Sequence, residues 1–408
     1  MNLIRLAAPM VLANGFAQIV TFAIMPLLTR HYSDADFGVW SLFITIASLI
    51  TIGSAFRYDL GILLPSSVKD VIRMTVISVK NVLFTVLMSI VFVCLAFNYM
   101  QGISWAYFLL PISILFCGLN LVLTANLNYL KKYKSIAVAS LLQSLANVVL
   151  NIILCFMFAA NTVGSELIIA TIFGQFVFLA VQSKFLGLDF RYFSFIFKQK
   201  YSMILLKKYS DLPIYSMPAS YLSSVTSGMP IFAMGYLFTI DLVGQYALAN
   251  RVLVLPLSIM GAGLYQVLFK MFAQKVSAGD NICGDVVKIW LVALMVSVIP
   301  ASAVFFYAEF IVTTVFGPQW IVAGQLISLL IFPLLFNFCI NLTSASHVVL
   351  RLQHLALYFS VLMLVGKILV TVVFKANYFD LLLWYTLVDS AGIVGMNLIV
   401  VKRLRNLN

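Results

Sequence analysis

Ile289–Phe310 reads IWLVALMVSVIPASAVFFYAEF, 22 residues with no charge before Glu309. A helix needs about 20 mostly apolar residues to cross the hydrocarbon core of a bilayer, and this run supplies them. Working outward, the chain holds further runs of this kind. Leu6–Thr29, Phe37–Phe56, Asn81–Phe97, Trp105–Asn126, Ile136–Ala159 and Leu167–Leu186 lie in its first half. Tyr215–Phe238, Gly244–Phe269, Trp320–Ala345, Leu355–Phe374 and Leu381–Val401 join Ile289–Phe310 in the second. The whole sequence of 408 residues is 63% hydrophobic and only 9% charged. A soluble domain carries about 25% charged residues, so this chain could not cover a water-facing surface. A soluble enzyme, a disordered tail and a disulfide scaffold are excluded, and an all-α membrane protein of about twelve spans is expected. Leu6–Thr29 reads as a first span and not a removed signal peptide, because it runs on without a small-residue cleavage site.

The 25 Lys and Arg outnumber the 13 Asp and Glu, giving +12. On a soluble domain that excess would suggest nucleic acid; on a membrane protein it marks the loops retained in the cytoplasm. With the N-terminus inside, the inner loops collect Arg5, Lys69, Arg73, Lys80, Lys131, Lys132 and Lys134. They also collect the basic residues of Lys184–Lys208, then Lys270, Lys275, Lys288, Arg351, Lys402, Arg403 and Arg405. The outer loops hold Asp34, Asp36, Glu166, Asp241, Glu309 and Asp380, with little basic beyond Arg30 and Lys375. Both termini are therefore expected in the cytoplasm, and no nucleic-acid partner is expected.

The long inner loop Lys184–Leu212 divides the spans into two sets of six, with lobes at 1–205 and 206–408. Phe37-Gly38-Val39-Trp40-Ser41-Leu42 is echoed by Val243-Gly244-Gln245-Tyr246-Ala247-Leu248, each opening the second span of its half. Halves of six helices share one orientation, so they are expected to be parallel repeats about an axis along the membrane normal.

Ionisable groups inside spans are costly and face a cavity or a partner. Lys367 and Asp389 each lie about 12 Å from the outer ends of consecutive antiparallel spans, at 1.5 Å per residue, and are expected to pair. Three readings stand for them: a structural salt bridge, an ion-coupled switch broken during transport, or separate roles facing a cavity. Arg30, Arg57 and Arg251 place guanidinium groups at several depths, which suits an anionic substrate because the planar fork binds phosphate oxygens bidentately. Arg30 and Arg57 also read as ordinary interface anchors. Gln143, Asn147 and Asn151 fall at i, i+4 and i+8 and share a helix face, as do Asn14, Gln18 and Thr21. Such amides bind sugar hydroxyls in a wet cavity or bond between helices, and both readings stand. The five cysteines and three histidines lack metal-ligand spacing. No Walker A loop is present. No metal, cofactor or catalytic constellation is expected, and the chain reads as a transporter and not an enzyme.

The segment Pro26-Leu27-Leu28-Thr29-Arg30-His31-Tyr32-Ser33-Asp34-Ala35-Asp36-Phe37-Gly38-Val39-Trp40-Ser41-Leu42 resembles the opening of bacterial polysaccharide-repeat flippases. These are the Wzx-type transporters of the MATE-like superfamily. Arg57-Tyr58-Asp59-Leu60-Gly61-Ile62-Leu63-Leu64-Pro65, Gly244–Arg251 with Pro256-Leu257, and Val315-Phe316-Gly317-Pro318-Gln319-Trp320 continue the resemblance. It implies two six-helix lobes around a central cationic cavity, alternately open to either side. The substrate implied is a polyprenyl-pyrophosphate-linked oligosaccharide, moved to the outer leaflet of the inner membrane for O-antigen, capsule or exopolysaccharide assembly. It implies membrane lipids, a polysaccharide polymerase and a chain-length regulator as partners. Arg30, Arg57 and Arg251 match basic positions of the family. An Asp-Arg pair that many relatives carry in the seventh helix is replaced here near Ser227-Gly228. A MATE-like drug/proton antiporter is the rival from another class, and a membrane-embedded glycan polymerase or ligase is the enzyme rival. The first would favour acidic cavities and the second a large outer loop.

Overall fold

The computed structural model describes residues 13, 15–65, 67–99, 105–157, 164–188, 202–278, 281–344, 346 and 353–405. Asn14, Arg5, Arg191, Lys198, Lys200, His347 and Arg351 lie outside these. Among the described residues there is no strand. Among the described residues nine helical stretches are long and apolar enough to cross a membrane, and Leu357–Val373 is a shorter apolar helix.

The chain divides into two compact units. The first takes Met1–Tyr32 and Val39–Ser224, the second Ser33–Gly38 and Val225–Asn408. In the first unit, helical residues 15–23 break at a turn on Ile24 and restart as α1 (Met25–His31). Pro26 has no N–H to donate to the preceding turn, and Leu27 and Leu28 both bond back to the Ile24 carbonyl. Next come α2 (Asp34–Ile52), the single turn α3 (Tyr58–Gly61) and α4 (Val68–Tyr99). They are followed by α5 (Leu110–Tyr129), α6 (Tyr133–Met157), α7 (Ser165–Leu186) and the short α8 (Met203–Lys208). Helix α4 starts thirteen residues before the apolar run Asn81–Phe97 (68 against 81). Its first turns carry Lys69, Asp70, Arg73 and Lys80, so charge had hidden them from a hydropathy reading. Helices α6 and α7 pack together, and α5 packs on α4 and α7.

Helix α9 (Met217–Leu237) follows a π turn at Leu212–Ser216. Its Ser, Thr and Gly content and Pro230 make it less apolar than those nine stretches. The second unit continues with α10 (Ile240–Ser277), α11 (Cys283–Phe316), α12 (Ile321–Asn341), α13 (Gln353–Val373) and α14 (Tyr378–Arg405). Helix α11 packs on α12, which also packs on α10 and α14, while α13 packs on α14. Ile299 and Phe306 on α11 are 78% and 77% exposed. Apolar side chains are left uncovered to this degree where the solvent is lipid, which exacts no hydrophobic penalty.

The echoed glycines have a shared physical role inside the second unit. A Cβ on Gly38 would strike the Ile240 carbonyl, and one on Gly244 would strike the Asp34 carbonyl. The N-terminal turns of α2 and α10 cross backbone to backbone, which only glycine permits at this spacing. Phe37 stacks edge-on against Trp320 beside them at 5.0 Å, both fully buried. Gln245 locks the crossing: its Oε1 accepts the Ala323 N–H at 2.9 Å, and its Nε2 donates to Asp34 Oδ2 and the Gln319 carbonyl.

Candidate functional site

Helix α2 does not continue to Phe56. It unwinds after Ile52, and Phe56 and Arg57 both take left-handed backbone, at φ 51° and 60°. Non-glycine residues rarely enter this region, and they stay there only when their surroundings enforce it. The enforcing contacts come from α4: Asn81 Nδ2 donates to the Ala55 carbonyl and Thr85 Oγ1 to the Ser54 carbonyl. Beneath them Ala55, Tyr58, Ile62, Met74, Ile77 and Val82 pack with Leu119, Val122 and Leu205 into a buried core. The bend brings Arg57 and Asp59 to one cavity.

That cavity, about 640 Å³, lies wholly within the first unit, between α2, the bend, α5, α6, α7 and the start of α9. Ser48, Thr51, Ser113, Asn120, Thr124, Asn128, Gln143 and Gln175 line it with Arg57 and Asp59, and Leu60, Leu63, Leu121 and Phe178 supply apolar wall. Several of these groups are already engaged. Ser113 Oγ donates to Gln175 Oε1 at 3.1 Å, and Asn120 Nδ2 donates to the Gln175 carbonyl at 3.0 Å. A backbone carbonyl only accepts, so the Asn120 amide is fixed with its NH2 on α7 and its oxygen turned away. Four buried lining atoms have no hydrogen-bond partner: Thr51 Oγ1, Arg57 Nε, Asp59 Oδ1 and Asn120 Oδ1. Buried polar atoms are nearly always paired in folded proteins, so these four, on residues that line one cavity, single out its wall as the candidate site. Burial pushes the Asp59 carboxyl above its ordinary value, while Arg57 and the backbone N–H groups of Asp59 and Leu60 hold it back.

The remaining expected residues are distributed as follows. Gln143 lines the cavity, but Asn147 and Asn151 bond to each other along α6, with Asn151 Nδ2 at 3.0 Å from Asn147 Oδ1. Thr21 Oγ1 meets Ser144 Oγ at 3.0 Å and ties the first helix to α6, whereas Gln18 is exposed. Arg30 is exposed at the end of α1 and does not line this cavity. Arg251 is half-buried on α10 in the second unit. There Lys367 Nζ lies 2.9 Å from Asp389 Oδ2, donates to the Thr226 carbonyl at 2.9 Å, and sits over the Tyr385 ring. Lys367 is 2% exposed and Asp389 30% by side chain. Thr51, Asp59, Asn120 and Gln175 were not among the residues read from the sequence as a site. A signal existed: Asn120, Thr124 and Asn128 repeat at i, i+4 and i+8 on α5, the same stripe that singled out Gln143 on α6. Among the described residues no cluster of His, Cys, Asp and Glu could hold a metal ion.

Comparison with solved structures gives the fold a precedent. The lipid II flippase MurJ in an inward closed conformation matches at a TM-score of 0.74, with 12% identity over 96% of this chain and 87% of that one. A multidrug resistance MATE family transporter of the MOP superfamily, inward-facing, matches at 0.62, with 14% identity over 99% and 94%. A MOP superfamily transporter from Pyrococcus furiosus, described as having a binding pocket of reverse polarity, matches at 0.57, with 15% identity over 99% and 95%. The chain thus has the all-α membrane fold of these transporters. No curated protein matches its sequence. The sequence model of a family described as "Polysaccharide biosynthesis protein" matches residues 27–325, well over half of the chain, and the protein belongs to that family.

Proposed function

We propose that the protein is a flippase for a lipid-linked oligosaccharide. It takes a polyprenyl-pyrophosphate-linked repeat unit from the cytoplasmic to the outer leaflet of the bacterial inner membrane, by alternating access. The observation that carries this reading is the polar cavity of the first unit, walled by apolar helices and holding Arg57 and Asp59. Sugars and pyrophosphate cannot enter hydrocarbon unaided, since burying an unpaired charge costs many kcal/mol. A polar cavity replaces water for the head group while the polyprenyl chain stays in lipid. One of the solved structures that shares the fold is itself a lipid II flippase, and membership in a polysaccharide biosynthesis family favours a saccharide cargo over a drug.

In this reading the two lobes, 1–205 and 206–408, rock between inward- and outward-open states with both termini cytoplasmic. Arg30 and Arg251 meet the pyrophosphate at different stages. The product serves O-antigen, capsule or exopolysaccharide assembly, with a polymerase and a chain-length regulator downstream. Lys367 and Asp389 serve as a structural lock, because the ammonium is saturated by Asp389, the Thr226 carbonyl and the Tyr385 ring.

The test is deletion of the gene, with lipid-linked repeat units assayed on the cytoplasmic face. They should accumulate while surface glycan disappears, and unchanged surface glycan overturns the reading. Arg251→Ala should abolish surface polysaccharide in a folded, inserted protein, and Arg251→Lys should do less harm.

A further inference from the structure

The second unit holds a cavity of about 750 Å³ between α10, α11 and α12. Helices α10 and α11 both pack on α12 and meet each other at their inner ends, where Phe272, Ile282 and Val286 bury with Val401 of α14. Pro256 and Pro300 interrupt the backbone ladders of the two helices on the cavity wall itself, because a proline has no N–H to donate. Met260 and Leu264 on α10, and Val292 and Val296 on α11, line the cavity and are also exposed. It therefore opens sideways between the two helices, at the depth of the bilayer. Among the described residues that line it beyond its inner end, only Ser297 is polar, and its hydroxyl donates to the Leu294 carbonyl. Such a wall offers a polar ligand nothing and takes hydrocarbon. The inner end is basic. Asp285 and Lys288 line it, and Lys275 pairs with Asp285 at 2.6 Å. The exposed Lys288 ammonium is thus left without a counter-ion among the described residues. Lys270 and Lys402, on the inner ends of α10 and α14, are exposed as well.

We propose that this cleft binds one anionic phospholipid of the surrounding membrane: Lys288 holds the phosphate, and an acyl chain lies between α10 and α11 against α12. From Lys288 to Val304, both lining residues, α11 rises about 24 Å at 1.5 Å per residue. That exceeds the roughly 15 Å that one leaflet adds to the hydrocarbon core, so a whole chain is accommodated below one head group. Lysines at the membrane surface attract anionic lipids, and with Asp285 already paired the surplus at this end is positive. A second copy of this chain is the poorer occupant, because 25 Lys and Arg against 13 Asp and Glu leave it no surplus of carboxylates for these lysines. The site shares no residue with the cavity at Arg57, so it does not depend on the identity of the cargo.

The test is photolabelling of the full chain in phosphatidylcholine vesicles that contain a minor fraction of phosphatidylglycerol carrying a diazirine in its acyl chain. The adducts are mapped by peptide sequencing. They should concentrate on Val292 and Val296 of α11 and on Met260 and Leu264 of α10. Met295 and Ile299 are the control, since they are exposed on α11 at the same depth and do not line the cavity. Phosphatidylcholine with the same label should mark the cleft several-fold less. Lys288→Gln should weaken labelling by phosphatidylglycerol about fivefold, the worth of one surface lysine, and Lys288→Arg should retain it. Val296→Trp places a bulky ring at an exposed wall position, where no core is disturbed, and should remove the cleft adducts while Ile299 stays labelled. Equal labelling of Val296 and Ile299, equal labelling by the two lipids, or an undiminished preference in Lys288→Gln overturns the proposal. Displacement of the label by an equimolar polyprenyl phosphate would give the cleft to the lipid tail of the cargo, and an unlabelled cleft in chains that cross-link to each other would give it to a second copy; either result overturns the proposal as well.

Discussion

The two units bury their polar atoms in opposite ways. In the first, four residues that line one cavity, beside a bend held in left-handed backbone, each keep a buried atom without a hydrogen-bond partner. The second unit also has a cavity, of about 750 Å³ between α10, α11 and α12, but Leu, Val, Ile, Met and Pro line most of it. Its deepest charge, Lys367, is tied to Asp389 and a carbonyl, and its buried Gln245 makes three hydrogen bonds. Asn337 keeps an oxygen without a partner in this unit and does not line that cavity. A satisfied network rigidifies, whereas an unsatisfied one is held at a cost and waits for a partner. Lys367, Asp389 and Gln245 of the second unit are thus spent on structure, whereas the first unit gathers its unsatisfied polar residues around one cavity.

The comparison is broken most directly at the ion pair. Asp389→Ala strands a buried ammonium and should cost about 3–5 kcal/mol of stability, read by thermal unfolding in detergent. The double variant Lys367→Met with Asp389→Leu should recover most of that loss and keep transport. Loss of transport in a stable double variant would move the pair from structure to coupling. Next in size, Gly244→Ala drives a Cβ into the Asp34 carbonyl, backbone that cannot swing aside, and should cost about 1–3 kcal/mol as an overpacked site.

In the first unit stability and function should separate. Asp59→Asn should raise the melting temperature at neutral pH while impairing transport, because burial lifts the Asp59 pKa and so penalises the carboxylate in the fold. A carboxyl raised on folding favours the fold when protonated, so the gap between Asp59→Asn and wild type should close as pH falls through that raised value. A gap that widens on acidification would show the carboxylate to be stabilising. Of Arg57, Asp59 and Cys117, the titratable residues lining the cavity, only Asp59 changes charge on acidification. Smallest of all, Asn147→Ala removes one amide of a helix-internal pair and should cost about 0.5–1.5 kcal/mol with transport retained. A large transport loss there would extend the site along α6.

The apolar runs and the loop charges carried the helical fold in the sequence, because lipid forces backbone groups to pair inside a helix and spares no charge. The run Asn81–Phe97 found α4 but missed its first turns, where Lys69, Asp70 and Arg73 mask a helix that extends beyond the apolar segment. Arg57 and Gln143 were legible as polar residues among apolar ones. Their companions Thr51, Asn120 and Gln175 were not, since an uncharged polar residue in a span reads equally as a bond between helices.

Sequence by itself determined that this chain is a bundle of membrane helices, and that Gly38 and Gly244 occupy equivalent places. Depth and periodicity are properties of one helix at a time, and hydropathy records them. Only the tertiary structure decided which polar atoms are spent and which are open. The Asn120 amide gives its NH2 to the Gln175 carbonyl and leaves its oxygen without a partner. Lys367 is consumed by residues from two other helices. Satisfaction of a hydrogen bond is a relation between helices far apart in the chain, so no single stretch of sequence can state it.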